Sequence, residues 1–236
     1  MQIIPTILES SSQDIINQIT RLSPYFDTFQ IDIIDGIFAP NKTPSVAELL
    51  DTIKQNLKQT GFQLLTNNLI FDFHLMTEDF EKEIDRIGAL SKYIHIRNIL
   101  VHIDLSPNYR LLMNTFPNFS FGPVINSEDN VYEVMESYDI NTFPFIQFMT
   151  VHIGSQGNPF IAQVLKKIEQ LKRAGYRGKI FLDGSVNEET LALIMTKTYR
   201  PDVLCIGSYL TRSTDLENRV SKLQSCIKNA SIQTRE

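Results

Sequence analysis

Short apolar runs alternate with stretches of helical spacing eight times along this chain, and nothing else in it limits the fold as much. The runs at 2–7, 69–74, 99–104, 119–125, 145–151, 179–182 and 203–206 read as strands, with 93–96 competing for the fourth place. The second strand starts at Phe29 and stops at Asp35-Gly36, a natural turn. Between the strands come helical patterns. Ser12 and Asp14 precede Ile15, Ile16, Ile19 and Leu22, and Pro44-Ser45 precedes Val46, Leu49, Leu50, Ile53 and Leu57. Phe80, Ile84 and Ile87 mark the third helix, and 109–113 and the residues around Tyr132 allow short ones. The pattern is clearest over 160–174, with Gly175 placed to cap it. Asn187 starts another helix, and Leu216, Val220, Leu223 and Ile227 give the last. Strand–helix alternation implies a parallel sheet. Eight such units in 236 residues fit one (β/α)8 barrel domain spanning 1–236. The alternative is an open doubly wound sheet, but no GxGxxG follows the first strand.

Composition narrows the class. The chain is 42% hydrophobic and 21% charged, ordinary for a globular protein that needs no metal or disulfide staple to hold a core. The net charge is -5 and no Lys/Arg run occurs, which argues against nucleic acid and anionic membranes as partners. The two cysteines, Cys205 and Cys226, form no CxxC, so a reducing cytoplasm is the expected setting. The N-terminal MQIIPTILESSS does not read as a signal peptide. No stretch approaches the ~20 apolar residues of a membrane span.

A barrel of this kind carries its site at the C-terminal ends of the strands. The polar residues there are Thr6; Gln30 and Asp32; Asp72 and His74, with Met76 beyond; His102 and Asp104; His152, Gly154, Ser155, Gln156 and Gly157; Asp183, Gly184 and Ser185; and Gly207 and Ser208. In a strand, side chains alternate between faces, so Gln30 and Asp32 share one face while Phe29, Ile31 and Ile33 share the other. Asp32, His74 and Asp183 are a candidate set for a divalent cation and for proton transfer. For His74 the alternative is a core histidine bonded to backbone. Asp72 is either a partner that orients His74 or a buried, hydrogen-bonded acid. The glycines after the sixth, seventh and eighth strands would let backbone N–H groups approach an anion, which suggests a sugar phosphate.

These residues occur in a familiar order: PTIL at 5–8, IDIIDGIFAPN at 31–41, FHLM at 73–76, MTVHIGSQGNPF at 149–160, LDGSV at 182–186 and IGS at 206–208. In order and spacing the chain resembles the ribulose-phosphate 3-epimerase family, nearly end to end. That resemblance implies a (β/α)8 barrel of ribulose-phosphate-binding type. It implies an isomerase of carbohydrate metabolism that interconverts D-ribulose 5-phosphate and D-xylulose 5-phosphate, in the pentose phosphate reactions, through a metal-stabilised enediolate. Asp32 and Asp183 would be the acid/base pair. One divalent cation (zinc, iron, manganese or cobalt) would sit on Asp32, His74 and Asp183, with Gln30 where the family has a histidine ligand. Thr6, His74, Met76, Met149, Gly154, Ser155, Gln156, Gly157, Gly184, Ser185, Gly207 and Ser208 would bind the substrate. Its partner would be a small ketose phosphate, with self-association of the chain left open.

The chain departs from the family at several of these places. Gln30 replaces a histidine, and a glutamine carbonyl is a weaker ligand than imidazole for zinc or iron. Thr6 replaces a serine, Ile34 a methionine and Ser185 a glycine, and the phosphate loop reads G-S-Q-G for G-F-G-G. Two other readings follow: a sugar-phosphate-binding paralogue with weakened catalysis, or an epimerase of another ketose phosphate such as allulose 6-phosphate. Decarboxylation or aldol cleavage ranks last. Relatives with those activities place a lysine beside the second-strand acids, and Asp32-Ile33-Ile34-Asp35 has none. His152 is expected to be a loop histidine facing solvent.

Overall fold

The computed structural model describes residues 1–154 and 157–233, so the expectations for Ser155 and Gln156 lie outside the described residues. Eight parallel strands follow one another in chain order around a closed barrel, a TIM barrel. The chain packs as two compact units: residues 5–124 with Ile153 and Gly154, and residues 1–4, 125–152 and 157 onward.

The first unit takes the second half of β1 (Gln2–Ile7), then α1 (Ser12–Leu22), β2 (Thr28–Ile34), α2 (Val46–Asn56), α3 (Thr60–Thr66), β3 (Ile70–Met76), α4 (Phe80–Leu90), β4 (His95–His102), α5 (Tyr109–Thr115) and most of β5 (Ser120–Ile125). The helices form where the apolar spacing put them. Ile15, Ile16, Ile19 and Leu22 of α1 are all buried. Its cap is Ser11, one residue before the expected Ser12, and the Ser11 hydroxyl accepts from the Asp14 N–H at 3.1 Å. Ser45 and Glu48 close a reciprocal capping box on α2. Strand β2 is buried at every position, as expected of a strand covered on both faces. Gln30 and Asp32, which an antiparallel strand would have shown to water, are therefore inside.

Strand β3 runs past 69–74 to Met76. Strand β4 starts within the competing run 93–96 and ends at His102, so Ile103–Leu105 form a 3-10 turn and Asp104 stands beyond the strand. Helix α3 had no sequence signal; Gly61 and the polar residues before it obscure its spacing. The pairing sets Asp32 level with His74, Thr6 level with Gln30, and Ile34 level with Met76. The β3–β4 pairing slips between Phe71 and Asp72, which leaves Arg97 as an extra residue on β4.

The second unit contains α6 (Val131–Ser137), β6 (Phe145–Met149), α7 (Val164–Arg173), β7 (Lys179–Asp183), α8 (Glu188–Met195), β8 (Val203–Ile206), α9 (Ser208–Thr211) and α10 (Leu216–Gln233). Helix α7 starts four residues later than 160, with Val164, Leu165, Ile168 and Leu171 buried. It ends at Gly175, where φ is +94°. There the Gly175 N–H bonds the Lys172 carbonyl at 3.0 Å and the Tyr176 N–H bonds the Leu171 carbonyl at 3.2 Å. Asn187 caps α8, accepting from Glu189 and Thr190. Met149 lies level with Asp183, and Asp183 with Cys205.

Candidate active site

In the first unit the site residues stand at the ends of β1 to β4. Alternation turns Gln30 and Asp32 inward together, and the register brings His74 beside Asp32. The Gln30 amide donates to Asp32 Oδ1 at 3.1 Å. His74 Nδ1 lies 3.2 Å from that same oxygen. The Gln30 nitrogen is 3.5 Å from His74 Nδ1, so Gln30 turns its donor end to this pair. On the far side of the ring, His74 Nε2 lies 2.8 Å from His102 Nε2, with the rings stacked at 5.0 Å. All four side chains are buried. His74 thus meets side chains on both nitrogens, which takes it well beyond a core histidine bonded only to backbone.

Asp72 is not among them. Arg97, the extra residue of β4, grips it through Nε at 3.1 Å and Nη2 at 2.6 Å, and the Asn98 N–H adds a bond at 3.2 Å. Burial pushes the Asp72 carboxyl up, against the pull of Arg97. It is the hydrogen-bonded acid of the two readings.

Thr6 Oγ1 is buried and has no hydrogen-bond partner among the described residues. Met76 packs with Ile34 and Ala39 in an apolar cluster that Leu8, Phe38 and Ile153 extend. Gly154 has φ +105°, and a Cβ there would stand 2.5 Å from the Pro40 carbonyl oxygen, so only glycine fits. Asp35 fixes the turn after β2. Its carboxylate accepts from the Ile37, Phe38 and Glu78 N–H groups at 2.7, 2.9 and 2.8 Å. Burial raises its pKa, but the three backbone donors outweigh that and hold it below the usual range. The turn places the Phe38 ring 4.9 Å from that of His102.

In the second unit Asp183 ends β7. Gln147 of β6 donates to Asp183 Oδ2 at 3.2 Å, and the same nitrogen lies 3.7 Å from Met149 Sδ. Cys205 Sγ lies 3.7 Å from Gln147 Oε1. The Thr150 hydroxyl sits 2.9 Å from the Asp183 carbonyl and 2.6 Å from that of Gly184. Gly184 has φ +118°, and a Cβ would stand 2.7 Å from Val151 Cγ2. Ser185 follows at φ +50°, with its hydroxyl donating to the Asn158 carbonyl. A cleft of about 500 Å3 is lined by Gly157, Asn158, Ser185, Ser208, Arg212 and Arg219. Gly207 immediately precedes Ser208 at the end of β8. His152 is exposed, 3.9 Å from Glu128, as a solvent-facing loop histidine should be.

Sequence reasoning missed Gln147, Asn158, Arg212 and Arg219, and gave His102 no role. Gln147 and His102 carry the signal that Gln30 carried, a polar side chain within an apolar strand. The arginines are isolated in the sequence and give none.

The family model described as ribulose-phosphate 3 epimerase family matches residues 2–211. The chain is 26% identical over 234 residues to a ribulose-phosphate 3-epimerase of Bacillus subtilis, covering 95% of this chain and 98% of that protein. It is 23% identical over 231 residues to one of Helicobacter pylori, covering 95% and 97%. Among solved structures, 3-hexulose-6-phosphate synthase from Salmonella typhimurium superposes with a TM-score of 0.64 at 11% identity, covering 98% of this chain and 100% of that one. That last likeness is one of fold.

Proposed function

The chain belongs to the ribulose-phosphate 3-epimerase family, an isomerase acting on carbohydrates, and on that premise we propose that it interconverts D-ribulose 5-phosphate and D-xylulose 5-phosphate. The observation that carries the reading is the pair of strand-end carboxylates, each held by a glutamine amide: Asp32 by Gln30 and Asp183 by Gln147. Asp32 takes the proton from the carbon beside the ketose carbonyl, and Asp183 returns one on the opposite face; in the reverse direction they exchange roles. The amide donors fix where each carboxylate points, and the buried strand ends keep bulk water from the exchanging protons.

By the family resemblance a metal ion would be held by Asp32 and His74 of the first unit and Asp183 of the second. One imidazole nitrogen with carboxylate oxygens suits zinc, iron, manganese or cobalt. Such a cation, when bound, would polarise the carbonyl and offset the charge that develops on the sugar oxygens. The phosphate would lie in the cleft of Gly157, Ser185 and Ser208, where Arg212 adds positive charge. The buried Thr6 hydroxyl, without a protein partner, is left for a sugar hydroxyl. Both cysteines are free thiols, consistent with a reducing, cytoplasmic setting, and no described helix is long and apolar enough to cross a membrane.

Alanine at Asp183 tests the reading. Turnover should vanish while inorganic phosphate still binds; full activity would sink it. One observation favours a second reading, a sugar-phosphate-binding protein without turnover: Gln30 turns an N–H donor, where the resemblance leads one to expect a ligand histidine, toward His74 Nδ1. Near-stoichiometric metal in the purified chain together with epimerase turnover would dismiss it.

A further inference from the structure

Two arginines line the cleft of the second unit, and their surroundings differ. The guanidinium of Arg219, on α10, stands 4.5 Å from the centre of the Tyr209 ring, and its Nη1 donates to the Tyr209 carbonyl. Helix α9 is one turn long, so its carbonyls lack helical partners, and Arg219 supplies one. The Tyr209 hydroxyl donates in turn to Glu188 Oε1 of α8, which Lys222 Nζ of α10 approaches to 3.2 Å. Tyr209 is thus held by its ring, its hydroxyl and its carbonyl. Its neighbour in the chain is Ser208, which also lines the cleft. Arg212, by contrast, is exposed and pairs with no described residue.

Other hydroxyls around the cleft are spent inside the protein. Ser185 donates to the Asn158 carbonyl, and Thr190 donates to the Ser185 carbonyl at 3.0 Å. The Ser208 hydroxyl and the Arg212 guanidinium have no partner among the described residues. Both arginines lie just past residues 2–211, where the family model matches, so the resemblance gives neither a role. We infer that Arg212 is the side-chain cation that meets the substrate's phosphate, and that Arg219 is a positioning residue that holds Tyr209, and with it Ser208, at the cleft wall without touching the ligand. The inference rests on, and deepens, the placement of the phosphate in this cleft. The two roles ask for different chemistry. A lysine can serve phosphate as a point charge, but it cannot reproduce a planar fork that stacks on a ring and bonds a carbonyl at once.

The test is calorimetric titration of the whole chain with inorganic phosphate. Arg212→Gln should weaken binding about tenfold, the low end for a charge-assisted hydrogen bond because Arg212 is exposed. Arg212→Lys should stay within about threefold of the parent. Arg219→Gln and Arg219→Lys should each weaken binding about fivefold, since neither keeps the stack and the fork together. Tyr209→Leu should cost about as much as Arg219→Gln, and the double variant little more than either, because both changes release the same wall. Parent-like affinity in Arg212→Gln overturns the inference. So does recovery in Arg219→Lys, or losses that add in the double variant, since either would mean that Arg219 meets the ligand by its own charge. A parent chain that binds no phosphate overturns the placement of the phosphate together with the inference. Full turnover by Asp183→Ala would sink the epimerase reading and leave the cleft result standing.

Discussion

Asp32 and Asp183 share a design and differ in their surroundings. Asp183 is the last residue of β7 and Asp32 lies two residues before the end of β2, and each accepts a hydrogen bond from a glutamine amide at 3.1–3.2 Å. Asp32 takes its glutamine from two residues back on the same strand and adds a chain of two imidazoles. Asp183 takes its glutamine from the neighbouring strand, among the sulfur atoms of Met149 and Cys205. Its backbone is pinned by Thr150. A carboxylate against imidazole has a nitrogen ligand at hand. The glutamine on Asp183 is itself flanked by thioether and thiol, soft and weakly bonding groups. The two acids, given one joint reaction in the proposed function, thus meet different neighbours: imidazole for Asp32, and for Asp183 a glutamine flanked by sulfur.

The largest effects should come from the acids themselves. Asp32→Asn and Asp183→Asn should each lower kcat by about 10^3-fold or more, the scale on which a positioned acid or base acts. The comparison breaks if either variant keeps more than a tenth of the parent rate. Asp32→Asn should also lose more zinc affinity than Asp183→Asn, because Asp32 Oδ1 lies 3.2 Å from His74 Nδ1; calorimetric titration reads this, and equal losses would erase the distinction.

The glutamines should separate next. Gln30→His restores an imidazole beside Asp32 and should tighten zinc about tenfold, whereas Gln147→His should not. Gln147→Leu should lower kcat about tenfold with little change in zinc affinity. A Gln147→Leu chain that loses zinc as well would show that the two halves do not divide the work in this way.

Backbone effects are smaller and test the loops that carry the site. Gly184→Ala forces a side chain against Val151 at a positive φ and should cost about 2–3 kcal/mol of unfolding free energy. Gly175→Ala has the same kind of φ with nothing within 4 Å, and should cost about 1 kcal/mol. Urea midpoints check the order; equal costs would mean that Val151 yields.

The smallest effect is one of pH. The Asp35 carboxyl is held below its ordinary range, so the folded state binds its proton later than the unfolded chain does. Its stabilisation is present above the unfolded pKa of about 3.9 and is lost as pH falls through the folded value. Asp35→Asn should cost about 1 kcal/mol at pH 7, and the gap to the parent should narrow below about pH 4. A gap of constant size down to pH 3 would contradict this.

What the sequence could show follows from which contacts are local. The barrel was legible because strand and helix periods are local, and so were Asp32, His74 and Asp183, each on the inward side of a strand end. Gln30 was visible for the same reason, but not the end of its amide that faces Asp32. Partnerships across strands were not legible, because they depend on register. Asp72 has the same spacing from His74 whether or not it helps it; the extra residue in β4 brings Arg97 to its carboxylate instead. His102 became the partner of His74 only once β4 was seen to end at His102 instead of continuing to 104. The cleft arginines, Arg212 and Arg219, lie beyond the last strand, where no periodicity points to a ligand.

The most direct test of the central claim is to run the parent chain with D-ribulose 5-phosphate in deuterium oxide and read the product by proton NMR. Proton exchange by two carboxylates predicts D-xylulose 5-phosphate carrying deuterium at C3, with none of it formed by Asp183→Asn. Product formed without deuterium at C3, or equal wash-in by Asp183→Asn, would contradict the account.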